Sequence, residues 1–463
     1  MAELVLTGGN VWLDQKGMVA ADIVISKGKI NAIVAPGTGA GEEVINVTGT
    51  TILPGAIDAH IHLGHGSDIS RPRMPSDAMT ETAAAACGGV TCFIPYIMSS
   101  EPYTPVFDEL KSVTEAGARI DFGFHFVIAT EAQLSEVPFL CRKGSPTAKL
   151  FMNIRGEEGA RLGLPGTDDG FMYRLLETLA AENGMLCPHP ENIEVAWVLR
   201  DRVMRREGPD NDNLAAWNAT RPPFVEAEAL SRASYFGKIT GSKVHGVHTS
   251  SAAALEAAVM QRNAGSDVSI ETCIQYLLHD VDSDIGALGK VNPPLRMASD
   301  REALWAGIVN GQIDTIATDH IHRPIDSKQG GIWKAQPGFP GLDTFIPALL
   351  TASKERSISI DKILPLISRN PARRMGLKNK GRIEVGADAD FAIVDMNARW
   401  KVSNGSLASD AGYSTLEGQT MTVKVIHTLS RGVFVLRDGD LTNDSVGKGR
   451  YVPRMLAPVS HVT

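Results

Sequence analysis

The strongest constraint on the fold is an alternation that runs from residue 52 to residue 375: short apolar runs, each followed by a longer stretch with apolar residues at helical spacing. Eight such runs can be marked, ending near Asp58, Tyr96, Val127, Asn153, His189, His248, Glu271 and Asp319. Between them, segments such as 171–179 and 251–259 have helical periodicity. Repeated strand-helix units build a parallel sheet, and eight of them predict an α/β fold of the (β/α)8, TIM-like barrel type. A doubly wound sheet is the alternative. On either side of this region the texture changes. From Leu4 to Thr51, and again over 389–395 and 430–439, short apolar runs are punctuated by Gly and Lys in the manner of antiparallel strands and turns. The economical division is a small β-sandwich domain built from both chain ends, residues 1–51 and 376–463 with a tail, around a barrel inserted over 52–375.

Charge and composition bound the partners. The 43% hydrophobic and 21% charged composition is that of a soluble globular protein, and a net charge of −8 argues against nucleic acid or an anionic membrane surface as the main partner, which favours small-molecule chemistry. The N-terminal residues show no basic segment leading an apolar one, and no run of about 18 uninterrupted apolar residues occurs, so a cytoplasmic location without membrane contact is expected. Cys87, Cys92, Cys141, Cys187 and Cys273 are scattered with no Cys-x-x-Cys pair, which reads as reduced thiols, mostly small buried hydrophobes, rather than a disulfide framework.

Within the barrel, His60 and His62 end the first apolar run two residues apart, so in a strand both imidazoles face one side and can share a metal ion. Alone, this pair is as readily two structural histidines. The barrel adds a demand: further ligands should lie at other strand ends, since that end carries the active site. Lys149 and Asn153 accompany the fourth strand, His189 ends the fifth, His248 the sixth and Asp319 the eighth. Lys149 is the unusual member. Its bland fate is to snorkel to solvent, but burial beside cations lowers an amine's pKa from about 10.4 and leaves a neutral nitrogen that can add carbon dioxide. The resulting carbamate has two anionic oxygens, able to bridge two cations.

Taken in order, Asp58-x-His60-x-His62, Lys149, His189, His248 and Asp319 resemble the amidohydrolase superfamily. More narrowly, Pro190-Glu191-Asn192, Thr249-Ser250-Ser251, Glu271 to Leu277, Asn292-Pro293-Pro294-Leu295-Arg296 and Asp319-His320 are similar to the cyclic amidohydrolase branch of hydantoinases, dihydropyrimidinases, allantoinases and dihydroorotases. The resemblance implies two divalent metal ions, zinc before manganese, cobalt or iron. His60 and His62 hold one with Asp319, His189 and His248 hold the other, and Lys149, carboxylated by carbon dioxide, joins them. Two ions about 3.5–4 Å apart lower the pKa of a shared water and supply hydroxide at neutral pH. Asp319 is then the general base that returns the proton to the leaving ring nitrogen. The implied reaction opens the C–N bond of a hydantoin-, dihydropyrimidine- or allantoin-like cyclic amide. Asn292, Asn153, Arg155 and His320 are expected at the substrate, and a homo-oligomer, commonly a tetramer in the family, is expected.

The chain also departs from these relatives. The oxyanion tyrosine of hydantoinases, five residues beyond the lysine, is Ile154 here, flanked by Asn153 and Arg155; Arg155 is either a replacement anion binder or a solvated loop charge. The dihydroorotase arginine two residues beyond the second histidine is Gly64, which disfavours that activity. A hydrolase of a non-cyclic amide or ureide, and a non-catalytic assembly protein on the same fold, are the competing readings. Of the remaining histidines, His245 reads as structural, and His65 and His322, in loops after ligand-bearing strands, as either loop residues or substrate contacts.

Overall fold

The computed structural model describes residues 2–206 and 211–458. At its centre β1 spans Ala56–His62, β2 Val90–Ile97, β3 His125–Val127, β4 Thr147–Phe151, β5 Met185–His189, β6 Lys243–Gly246, β7 Val268–Cys273 and β8 Thr315–Ala317. Each pairs in parallel with the next, in chain order. After β8 the backbone breaks at Thr318-Asp319 and resumes as a two-residue strand, His320–Ile321, paired with β1 through His320↔Ile61 and Ile321↔His62. The eighth strand therefore closes the barrel in two pieces, and Asp319 sits in the gap between them.

These are the strands that the apolar runs predict, and burial explains their composition. Every residue of β1 and β2 is buried, because a parallel sheet is covered by helices on one side and filled by side chains on the other. The two stretches with helical spacing form Asp169–Ala181 and Ala252–Asn263. Their N-caps are Asp168, accepting from the Phe171 amide at 2.8 Å, and Ser251, accepting from the Ala254 amide at 3.2 Å. Each such cap contributes about 1 kcal/mol.

Both chain ends meet in the sandwich. Thr51–Pro54 lies antiparallel to Phe391–Asp395, with Phe391 opposite Pro54, in a seven-stranded sheet. A second, four-stranded sheet comes from the N-terminal segment alone. Leu6, Ile23, Ile25 and Ile52 share one core with Phe391, Ile393, Leu429 and Phe434, so neither end buries its apolar face without the other. The turn Arg431-Gly432 joins Lys424–Ser430 to Val433–Arg437 with φ of 47° and 76°, the left-handed pair that a two-residue hairpin requires. Beyond the sheet the tail returns to the barrel: Val452 N–H donates to Phe122 O at 2.7 Å, and Arg454, 3% exposed, donates to Thr147 Oγ1 at 2.7 Å and to Phe124 O.

Sandwich and barrel are also joined by a buried ion cluster. Lys380 Nζ lies 2.7 Å from Asp121 beside β2, 2.7 Å from Asp390 and 3.2 Å from Asp388. Removing the lysine leaves buried Asp390 without a side-chain cation, while Asp121 keeps Arg431 at 3.0 Å and Asp388 keeps Lys29 at 2.5 Å, so Lys380→Ala is expected to cost about 3–5 kcal/mol, checked by denaturant unfolding. Among the described residues no helix is long and apolar enough to cross a membrane.

Candidate metal centre

The period of a β-strand sends residues i and i+2 to the same side, and β1 uses this to aim both imidazoles at one carboxylate. His60 Nε2 lies 3.2 Å and His62 Nε2 3.5 Å from Asp319 Oδ1. All three residues are buried, with ligand atoms within 4.8 Å of one another. Asp319 reaches this place through backbone strain: its φ is 50°, and its N–H donates to His60 O at 2.9 Å across the broken eighth strand. His248, just past β6, has φ of 42°. Left-handed backbone at a non-glycine residue costs about 1–2 kcal/mol. Here it turns two side chains into the barrel mouth.

Beside this group, His248 Nε2 lies 2.9 Å from His189 Nδ1, and the His60 and His248 ring centroids are 5.3 Å apart. Lys149 rises from β4 next to them. It is 1% exposed, its Nζ sits 4.5 Å from the centre of the Tyr96 ring, and burial pushes its pKa down to about 8. The sequence-predicted ligands His60, His62, Lys149, His189, His248 and Asp319 thus gather at one end of the barrel.

An outer set of carboxylates fixes how the rings face. Glu271 Oε1 is 2.7 Å from His60 Nδ1 and accepts from the His248 backbone N–H at 3.1 Å, while its Oε2 is 3.1 Å from His245 Nε2. Burial opposes its ionisation, but His60 and His245 hold its pKa down to about 2. Glu191 Oε2 lies 2.8 Å from His189 Nε2 and accepts from Asn153 Nδ2 at 3.3 Å. Asp58 accepts from Thr318 Oγ1 at 2.5 Å and from the His60 N–H at 3.2 Å, tying β1 to the break in β8. At His60 and His189 the carboxylate bound to one ring nitrogen leaves the other directed at the centre, the arrangement by which outer residues tune metal ligands. Glu271→Gln is expected to weaken metal binding by about 10–100-fold, measured by competition with a chelator of known affinity.

Above the cluster is a cavity walled by Asn153, Asn292 and Arg323 on its polar side and by apolar residues including Ile69, Met98 and Ile154. Asn292 Oδ1 accepts from Trp217 Nε1 at 3.2 Å. Two residues expected at the substrate are elsewhere. Arg155 turns outward to Glu194, with Nη1 3.0 Å from Oε1, because it precedes the helix Gly156–Leu162 with its side chain away from the mouth. His320 is fully buried behind the wall, with Nε2 2.8 Å from Glu81 Oε2 and Nδ1 accepting from the Gly341 N–H at 3.1 Å. The break in β8 sends Asp319 inward and its neighbour toward the helix Pro75–Cys87. His245 has both ring nitrogens engaged, by Ser269 Oγ at 2.6 Å and by Glu271, and His65 pairs with Asp77 at 2.9 Å. At Gly64 a Cβ would fall 1.8 Å from Asp68 O, so no larger side chain fits. The sequence reading assigned no role to Glu191, Glu271 or Arg323. Glu191 lies two residues from a predicted ligand and Glu271 at a predicted strand end, which is the signal that was available.

Residues 51–435 match the profile of the Amidohydrolase family. The chain belongs to that family. Among relatives, this amidohydrolase is 32% identical over 459 residues to an allantoinase of Solibacter usitatus, covering 97% of this chain and 96% of that one. It is 31% identical over 453 residues to a D-hydantoinase of Geobacillus stearothermophilus, covering 94% and 93%. Among solved structures, an L-hydantoinase (dihydropyrimidinase) from Arthrobacter aurescens superposes with a TM-score of 0.90 at 27% identity, covering 98% of this chain and 100% of that one.

The residues of this amidohydrolase fit a metal on their own chemistry. His62 Nδ1 and His248 Nδ1 are buried without a hydrogen-bond partner, and His60 Nε2 meets only Asp319 Oδ1, at 3.2 Å, an arrangement that native interiors avoid unless something else satisfies it. The donors are imidazole and carboxylate. Cys273, close to His60, is held well above its ordinary pKa by burial and stays a thiol. Nitrogen and oxygen donors without thiolate suit a borderline divalent cation.

Proposed function

We propose that this amidohydrolase opens the amide or imide C–N bond of a five- or six-membered ring of the hydantoin, dihydropyrimidine or allantoin type. The observation that carries the reading is the convergence of His60, His62 and Asp319 in one buried cluster, with His189, His248 and Lys149 against it. His60, His62 and Asp319 would hold one divalent cation and His189 and His248 a second, with zinc the best match to the donors. The lysine amine, brought down to about 8, supports carboxylation. Its nitrogen would bond to the carbon of carbon dioxide and lose a proton, giving a carbamate anion that would add an anionic donor to the cluster. Two bound cations would supply an activated water and polarise the scissile carbonyl.

The rest is done by side chains of this chain. Burial opposes ionisation of Asp319, but His60 and His62 hold its carboxyl well below the usual carboxylate range, so it is ionised at neutral pH. It takes the proton of the attacking water and delivers it to the departing ring nitrogen. Glu271 and Glu191 keep the imidazoles in register. Asn153 and Asn292 face the ring's amide edges, while Ile69, Met98 and Ile154 exclude water. With Ile154 in the wall and Arg155 turned to Glu194, neither supplies an oxyanion donor.

The test is side-by-side turnover of hydantoin, dihydrouracil, allantoin and a linear ureide by protein reconstituted with zinc. Ring-selective turnover is expected; hydrolysis of the linear ureide alone would replace the reading with that of an open-chain amidase, and no bound metal with no turnover would replace it with that of an assembly protein. A cytoplasmic location, in keeping with five free cysteines, and a homo-oligomer belong to the same reading. Tyr235 and Ile239, one turn apart on the helix Pro223–Thr240, are both exposed apolar residues.

A further inference from the structure

We infer that the C-terminal tail sets the metal centre from the opposite end of the barrel, with Arg454 as a positioning residue that acts on Lys149 and His60 through Thr147, His125 and Tyr96. The inference takes the metal centre from the ring-opening reading and adds a support for it at the foot of the strands. Gly144 and Asn183 precede β4 and β5, and the tail is fastened to both: Arg454 N–H donates to Gly144 O at 2.9 Å and Asn183 Nδ2 to Leu456 O at 2.8 Å. The barrel is shaped to receive it. A Cβ at Gly144 would fall 2.6 Å from Pro453, and one at Gly123 would fall 3.0 Å from Arg454 Nε. Leu456 packs in one core with Ile57, Ala59, Tyr96 and Cys187 of the barrel strands.

From Arg454 a chain of hydrogen bonds climbs through the barrel, and the chemistry of each group fixes its direction. His125 Nε2 lies 3.0 Å from Ala59 O, which can only accept, so the ring carries a proton there. Burial first, then the Arg454 guanidinium, hold this imidazole well below its ordinary pKa, so it has one proton to give. Nδ1 is therefore an acceptor, and it takes the hydroxyl proton of Thr147, 2.6 Å away. The Thr147 oxygen is left to accept from Arg454 Nη2 at 2.7 Å, and a guanidinium can only donate.

The upper end of this chain meets the metal ligands. Ala59 precedes His60, in the interval of β1 where pairing with β2 shifts register between Asp58 and Ile61, so His125 holds a carbonyl of the strand that carries both imidazoles. Thr147 and Lys149, two residues apart on β4, point to the same side. The His125 ring stacks on Tyr96 with centroids 4.3 Å apart and planes at 21°. Tyr96 in turn has Lys149 Nζ 4.5 Å from its centre and meets the His60 ring edge-on at 4.7 Å. A fully satisfied buried network holds its members in one arrangement, and here that arrangement ends on two of the six ligands.

Zinc affinity, measured by competition with a chelator of known affinity, tests this without any ring substrate. Thr147→Val keeps the side chain's shape without its hydroxyl, and Arg454→Met keeps length without donors; each is expected to weaken zinc binding by about tenfold or more. Thr147→Ser, which keeps the hydroxyl, is expected to bind zinc as the wild type does. Leu456→Ala loosens the same tail without touching the chain of bonds, and is expected to lower the melting temperature with zinc affinity unchanged. Wild-type affinity in both Thr147→Val and Arg454→Met, or an equal loss in Leu456→Ala, overturns the inference. Should Arg454→Met fail to fold by circular dichroism, Thr147→Val against Thr147→Ser decides. A wild type that binds zinc yet opens no ring ends the ring-opening reading and leaves this inference to the same affinities; one that binds no zinc overturns both.

Discussion

Asp319→Asn is expected to lower kcat on the true ring substrate by about 10³–10⁴-fold while leaving the circular dichroism spectrum unchanged. The size follows from two roles on one side chain. Asp319 sits opposite both imidazoles of β1, and it is held as a carboxylate by the same two rings. Asparagine has nearly the same shape and keeps the left-handed backbone at φ 50° at little cost, since Asn is among the residues that tolerate it. It has no proton-accepting charge. Turnover within about tenfold of wild type would remove Asp319 as the base.

Lys149→Ala is expected to take the protein from two bound metal ions per chain to less than one, with turnover at background. The lysine is buried over Tyr96 with its amine brought toward neutrality, and no other side chain on β4 offers an anionic group to both halves of the cluster. Truncation also leaves a void that costs about 2–5 kcal/mol, so loss of metal alone does not separate packing from chemistry. Propionate does: a short carboxylate can occupy the vacated space, and its addition is expected to restore part of both metal content and turnover. Metal content equal to wild type in Lys149→Ala would end the carbamate account.

Much of this centre is legible in the sequence because the fold makes it periodic. Once eight strands are recognised, the barrel requires chemistry at their C-terminal ends, and His60, His62, His189, His248 and Asp319 are reached by counting. Orientation is not reached that way. His320 was expected near the substrate, yet the interrupted eighth strand turns Asp319 inward and sends His320 to Glu81. Arg155 was set beside the missing tyrosine, yet the helix that begins at Gly156 carries it outward to Glu194. Left-handed backbone at His248 and Asp319 leaves no mark in residue type. Glu271 joins His60 across 211 positions of sequence, a pairing set by closure of the barrel rather than by spacing. Likewise the meeting of the chain ends in one sandwich follows from their shared texture, whereas the return of Arg454 to the barrel does not, because the tail carries no periodicity.

The most direct test of the account is a metal titration read as rate. Protein stripped by a chelator and given zinc in steps, with ring opening followed on the best of hydantoin, dihydrouracil and allantoin, is predicted to gain nearly all its activity as the second ion binds and to lose it again on chelation. Full activity in the stripped protein, or saturation at one ion per chain, would contradict a two-metal centre built by His60, His62, Asp319, His189, His248 and Lys149.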